Sequence, residues 1–268
     1  MKFLQTQIKK FMEKNFSIIS NKIRLEFLRL IESGYKYHLG GTASCVDLLV
    51  VLFYGNYINL NHKNRPKFIL SKGHALGALH AIFLHKKITS KKKLDHMKKK
   101  GEIGGQLDVY RFKNYVDWNT GSLGHSVGVV TGMAISNPNQ KVWTIVGDAE
   151  MDEGSIWEGI FFISEKKINN IVIIIDRNKI SASAKIEKKE FFDKKILDKL
   201  NFNIYKINGH NHKEINKTFK RTVNSNKSTI IIADTIKGKG FGVAENNLAY
   251  SHQSLDKDTL IDMKKSYE

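Results

Sequence analysis

At 268 residues the chain can bury a full core in one large domain or two small ones. Its 41% apolar content, two prolines and single cysteine, Cys45, leave no room for a Pro-rich linker or an internal disulfide framework and fit a reducing cytosol. The net charge of +18 comes from lysines scattered through Lys91–Lys93, Lys98–Lys100, Lys188–Lys189, Lys194–Lys195 and Lys237–Lys239, without Arg–aromatic interleaving or the spacing of a helix-turn-helix or zinc finger. A solvated lysine-rich surface is expected, and nucleic acid is not expected as a partner.

The N-terminal stretch MKFLQTQIKKFMEKNF has charges every few residues and lacks the apolar run of a signal peptide. No apolar run approaches the roughly 18 residues needed to span a membrane. A cytoplasmic protein is expected. Residues 17–33 carry Ile18, Ile19, Ile23, Leu25, Leu28, Leu30 and Ile31 at roughly helical spacing, an N-terminal helical extension over about 1–33. A Gly40-Gly41 turn follows, then a helix over Cys45–Tyr54 with Thr42 or Ser44 as its cap. Lys67–Leu70 reads as a short strand into Ser71-Lys72-Gly73-His74, and Ala75–His85 as a helix. Residues 86–118 are polar and glycine-punctuated, a helix and a long loop, and Gly121-Ser122-Leu123-Gly124 opens a helix through about Ser136 with Ser122 as a candidate cap.

From there strands alternate with helices: strand 141–146, helix 155–165, strand 170–176, helix near 193–200, strand 202–207, helix 212–224, strand 229–234 and a glycine-rich tail. That alternation predicts an α/β fold, a parallel sheet with helices on both faces. The β-branched runs 171–175 and 230–233 suit strands covered on both sides. With no repeat and no linker, residues 1–268 read as one domain.

The stretch Gly147-Asp148-Ala149-Glu150 ends one strand and Asp176-Arg177-Asn178 ends the next. Parallel neighbours would bring Asp148 and Asn178 together at the C-terminal sheet edge, where open α/β sheets bind ligands. Hard oxygen donors there suit Mg²⁺, or Ca²⁺ in its place, bridging a diphosphate. Taken singly, both residues also fit turn caps. Glu150, Asp152 and Glu153 likewise fit as favourable charge ahead of the next helix.

Eight segments now stand in order: His38-Leu39-Gly40-Gly41, Ser71-Lys72-Gly73-His74-Ala75, Gly121-Ser122-Leu123-Gly124, Gly147-Asp148-Ala149-Glu150, Asp176-Arg177-Asn178, Lys237-Gly238-Lys239-Gly240, Glu245-Asn246-Asn247 and Ser251-His252. Together they resemble the N-terminal, diphosphate-binding half of transketolase, a thiamine-diphosphate enzyme, over residues 34–252. The resemblance implies the thiamine-diphosphate-binding fold and a metal site of Asp148, Asn178 and the Ile180 carbonyl, filled by Mg²⁺ with Ca²⁺ or Mn²⁺ as substitutes. It puts His74 and His252 on the diphosphate. Gly147, Ala149, Glu150 and Asn178 fall at the phosphate-binding turn, and Gly121, Ser122 and Leu123 against the aminopyrimidine. Ala149 stands where the family usually has glycine, which requires a negative φ there. Glu153 matches a dimer contact near the cofactor. His38 and His252 match residues that move protons on the donor sugar, and Gln106 takes the place of a third histidine, with Asp108 ordering its loop. Glutamine cannot transfer a proton, so a sugar or sugar phosphate other than the usual ketose phosphate is expected as substrate.

The family's pyrimidine-binding half is missing from this chain. The resemblance therefore implies the N-terminal subunit of a split transketolase, inactive without a C-terminal partner subunit, in an α2β2 assembly. Competing readings are the α subunit of a 2-oxo acid dehydrogenase, a deoxyxylulose-phosphate-synthase-like enzyme, and a non-catalytic protein on the same fold. The SKGHA segment and the KGKG…ENN…H tail disfavour the first, and the short chain disfavours the second.

Overall fold

The computed structural model describes residues 2–99, 112, 114–186, 194–251 and 255–267. Five strands form one wholly parallel sheet in the order β1-β2-β3-β5-β4. They are β1 (Phe68–Leu70), β2 (Val142–Gly147), β3 (Ile171–Arg177), β4 (Asn203–Asn208) and β5 (Thr229–Asp234). The helices are α1 (Lys2–Glu32), α2 (Leu39–Ser44), α3 (Val46–Tyr54), α4 (Leu76–His85), α5 (Lys91–Lys99), α6 (Ser126–Ser136), α7 (Gly154–Glu165), α8 (Lys194–Leu197), α9 (His212–Val223) and α10 (Lys257–Lys265).

Successive strand residues point to opposite faces, and the apolar runs divide accordingly. Trp143, Ile145, Val172, Ile174 and Ile231 join a core with residues of α1, α3, α4 and α9. Val142, Val146, Ile171, Ile173, Ile175, Ile230 and Ile232 join the other, with Val127, Val130, Ile156, Ile160 and Ile163 of α6 and α7. Each fully buried branched side chain contributes about 1.5–3 kcal/mol relative to exposure, so unbroken apolar strands are stable only when covered on both faces. In α1, Ile23, Phe27, Leu28 and Leu30 are part of this packing.

Three local expectations are corrected. Gly40-Gly41 is not a turn but lies inside α2, whose six residues are all buried. Neither Thr42 nor Ser44 caps α3; its N-cap is Cys45, without a side-chain bond, and the Ser44 hydroxyl is engaged elsewhere. Ser122 does not cap α6, which starts at Ser126 with His125 as N-cap. The sequence also missed α10 beyond the glycine-rich segment, where the Asp256 carboxylate caps Thr259 N–H at 2.9 Å. Among the described residues, no helix is long and apolar enough to cross a membrane.

Candidate functional site

Register aligns the strand ends: Gly147 pairs with Asp176, and Arg177 with Asp234. The loops after β1, β2, β3 and β5 therefore leave the sheet at one level. With α2 they enclose a cavity of about 180 Å³ lined by His38, Gly41, Lys72, His74, Leu123, Gly147, Asp148, Ala149, Glu150, Asn178, Ile180, Ser181, Ala182 and Lys237.

Asp148 and Asn178 both line this cavity, as neighbouring strand ends predict. Asp148 is 2% exposed. Its carboxylate accepts from the N–H of Ala149 at 2.9 Å and of Lys179 at 2.6 Å. The turn-capping role is thus real, and it fixes the plane of a carboxylate that borders the cavity. Burial, with Asp176 nearby, pushes the Asp148 carboxyl up to about 6 against those hydrogen bonds. The Asn178 side-chain oxygen accepts from Ile180 N–H at 3.2 Å, closing an Asx turn in which Lys179 holds a left-handed φ of 65°. The Ile180 carbonyl accepts from the Lys237 ammonium at 3.2 Å, and the Ser181 carbonyl from the same ammonium at 2.7 Å. These carbonyls are engaged by an ammonium, while the Asp148 carboxylate and the Asn178 amide oxygen at the same cavity are hard donors of the kind a divalent ion takes. Burial and the Lys72 charge bring the Lys237 amine down to about 8. Ala149 keeps a negative φ, so the substitution for glycine is conformationally free.

Glu150 is 1% exposed, and its carboxylate works as a tie rather than as a surface charge. One oxygen accepts from the Ser71 hydroxyl and from Gly124 N–H at 2.9 Å; the other accepts from Gly147 N–H at 3.1 Å. It therefore lines the cavity while locking the loops after β1 and β2 to the turn before α6. Burial raises its pKa against these bonds. Gly124 has φ 86°, and a Cβ there would stand 2.7 Å from Glu153 Cβ, so the exposed Glu153 lies directly against that turn. Leu123 reaches the cavity wall, with Gly121 and the exposed Ser122 on the turn just before it.

His38 and His74 meet edge to face across the cavity wall, 5.6 Å between ring centres. Burial, reinforced by Lys72, His38 and Lys237, depresses His74 to about 3, so it is neutral at neutral pH. Gly41 permits this: a Cβ there would lie 2.6 Å from His74 Nε2. Gln106, Asp108 and His252 lie outside the described residues. His210 and His212 are structural: both bond the buried Asp47, at 2.7 and 3.1 Å.

Two sets of residues behind the cavity escaped the sequence reading. Asp47 pairs in bidentate fashion with Arg24, at 3.1 and 2.7 Å. Arg24 Nε then donates to the Lys239 carbonyl at 3.0 Å, and His210 Nε2 accepts from Ile236 N–H at 2.8 Å. The segment carrying Lys237 is thereby clamped from α1 and from the loop before α9. Second, Lys72 pairs with Asp176, both fully buried. The signal for that pair was an aspartate closing the apolar run IVIII, since a buried carboxylate requires a counter-charge.

A parallel sheet whose C-terminal edge gathers two carboxylates, an amide, two histidines and two lysines around one cavity defines an α/β protein with its candidate ligand site where open sheets bind their ligands. Comparison with known proteins makes this particular. The family model described as "Transketolase, thiamine diphosphate binding domain" matches residues 17–268, and the chain belongs to that family. It is 30% identical over 241 residues to one of the named subunits of the apulose-4-phosphate transketolase of Phocaeicola vulgatus, covering 84% of each chain. It is 28% identical over 252 residues to the transketolase of Pongo abelii, covering 89% of this chain but 40% of that protein. The crystal structure of transketolase from Campylobacter jejuni superposes with a TM-score of 0.79 at 25% identity, over 92% of this chain and 42% of that one. The transketolase from Leishmania mexicana shares the fold, with a TM-score of 0.79 at 18% identity. The chain thus spans about two fifths of the full-length transketolases it matches.

Proposed function

We propose that this chain is the N-terminal, diphosphate-binding subunit of a two-subunit transketolase, moving a two-carbon ketol unit from a ketose donor to an aldose acceptor in the cytoplasm. The observation that carries the reading is the convergence of Asp148, Asn178, His38 and His74 on one cavity. The match over 84% of a relative that is itself named as a subunit supports the division into two chains.

Asp148, Asn178 and the Ile180 carbonyl would hold Mg²⁺, or Ca²⁺ or Mn²⁺ in its place. Lys237 and the neutral His74 would face the diphosphate, the lysine supplying charge and the imidazole one hydrogen bond. Leu123 and the Gly121–Ser122 turn would bound the pyrimidine end. The chemistry supplied by bound thiamine diphosphate is nucleophilic attack at a carbonyl carbon and electron withdrawal next to it. His38, with His252, would take the proton from the donor hydroxyl whose carbon–carbon bond breaks, work suited to imidazole at neutral pH.

A partner chain carrying the pyrimidine-binding half would complete the site in an α2β2 assembly. Exposed apolar side chains on α6, on α7 and on the turn before α6 support this: Leu123, Ile135, Phe161 and Phe162 are all exposed, and at Gly128, Gly132 and Gly154 an added Cβ would meet nothing within 4 Å. Glycine inside an exposed helix costs about 1 kcal/mol relative to alanine, a cost that close approach by another chain would offset. The test is thiamine-diphosphate binding with and without Mg²⁺, for wild type and Asp148→Ala, alone and with the partner. Metal-dependent binding lost in Asp148→Ala is expected. Absence of metal-dependent binding even with the partner would refute the cofactor reading, and robust ketol transfer by the isolated chain would refute the two-subunit reading.

A further inference from the structure

Asp176, the penultimate residue of β3, is fully buried. Its carboxylate accepts from three separate segments: the Lys72 ammonium after β1, the Ser44 hydroxyl at the end of α2 at 2.6 Å, and the Thr235 hydroxyl after β5. Lys72 also donates to Ser44 at 3.2 Å. The main-chain oxygen of the same residue accepts the N–H of Asp148, after β2, at 3.3 Å and that of Asn178 at 3.2 Å. Every strand-end loop that frames the cavity therefore meets at one residue. Asp176 is absent from the cavity wall, so its influence on the cavity runs through the residues it holds.

A buried ion pair is a poor route to stability. Well-packed apolar residues of similar volume are often as good or better, because desolvation of both charges offsets their attraction. What the pair does supply is direction, since charge-assisted bonds are short and geometrically demanding. We propose that Asp176 is the positioning residue of the Asp148–Asn178 clamp, with Lys72 as its counter-charge: the side chain locks the end of β3, and its main-chain oxygen sets the backbone of both clamp residues. The clamp's role toward a metal rests on the thiamine-diphosphate reading above, whereas the positioning itself is a property of the protein alone.

The test uses the full chain carrying Lys72→Met, with Thr235→Val as a milder variant that removes one bond to Asp176. The control is Arg65→Met, which breaks another buried pair, Arg65–Asp117 at 2.6 Å, where the Asp117 carboxylate also holds Phe68 N–H at the opposite end of β1. Amide hydrogen exchange at Asp148 and Asn178 is measured without cofactor, and Mn²⁺ affinity in the presence of thiamine diphosphate is measured by electron paramagnetic resonance. Lys72→Met should speed exchange at both amides by at least about 10-fold and weaken Mn²⁺ binding about 10–100-fold, as loss of an outer partner of a metal ligand does. Thr235→Val should move both readouts in the same direction by less. Arg65→Met should lower the melting temperature and leave both readouts unchanged. Unaltered exchange at Asp148 and Asn178 in Lys72→Met and Thr235→Val overturns the proposal, even if Mn²⁺ affinity falls. If wild type binds no Mn²⁺ with thiamine diphosphate while the variants still accelerate exchange, the cofactor reading fails and the positioning role stands.

Discussion

Replacing Glu150 with glutamine isolates a single charge-assisted tie, because the shape of the side chain is conserved and only its acceptor pattern changes. The carboxylate serves Ser71, Gly124 and Gly147 through two oxygens. An amide keeps one acceptor oxygen, for Ser71 and Gly124, and turns an NH2 toward Gly147 N–H. One charge-assisted bond, worth about 1.5–3 kcal/mol, becomes a donor–donor contact with the part-buried Gly147 N–H left unsatisfied, at no more than the roughly 1–3 kcal/mol of a buried one. Relief of the buried charge offsets part of this, since burial already works against the ionised carboxyl. The net loss should be about 2–3 kcal/mol, a fall in melting temperature of about 4–12 °C for a domain of this size. Urea unfolding of the purified chain measures it, with amide exchange at Gly124 and Gly147 as the local readout. Glu153→Gln, three residues on and exposed, should stay within about 0.5 kcal/mol of wild type. Equal stabilities for the two variants, with unchanged exchange at both glycines, would refute the assignment of Glu150 as the tie between loops.

Two further outcomes follow from the same geometry. Gly41→Ala places a methyl group 2.6 Å from His74 Nε2, so the ring must shift. Thiamine-diphosphate affinity should fall at least about 10-fold, while stability changes by less than about 1 kcal/mol, because alanine is the better residue in a helix; unchanged affinity in a cofactor titration would exclude His74 from the binding surface. His74 and His80 are both held by burial at about 3 when folded, against about 6.5 when unfolded. Below pH 6.5 the unfolded chain therefore binds protons that the folded chain does not, and stability falls as the pH drops toward 3. Between pH 7.5 and 5.5 the pair should remove about 2.5 kcal/mol, read as a falling urea midpoint, and His80→Gln should halve that slope. A nuclear magnetic resonance titration placing His80 near 6.5 would contradict this.

Much of the fold could be read directly from the chain because its strands are short β-branched runs and its helices are periodic. The predicted strand 170–176 and the observed Ile171–Arg177 differ by one residue at each end. Errors fell where local rules compete with packing. Gly40-Gly41 has turn chemistry, yet its neighbours fold it into a buried helix because glycine lets Lys237 and His74 approach: a Cβ at Gly40 would stand 2.8 Å from Lys237 Cγ. Ser44 and Ser122 look like caps from sequence alone, but one is drawn to Asp176 and the other remains on an exposed turn.

The sequence by itself determined the parallel α/β class, the placement of Asp148 and Asn178 at one sheet edge and the transketolase likeness, since apolar periodicity and ordered motifs are local properties. Only the tertiary structure decided which carboxylates face the cavity and which hold it together. Asp148 borders it, Glu150 ties its loops, and Asp176 lies behind it with Lys72. The physical reason is that a buried charge is defined by its partners, and those of Asp176 come from two loops and a helix up to 132 residues away in the chain.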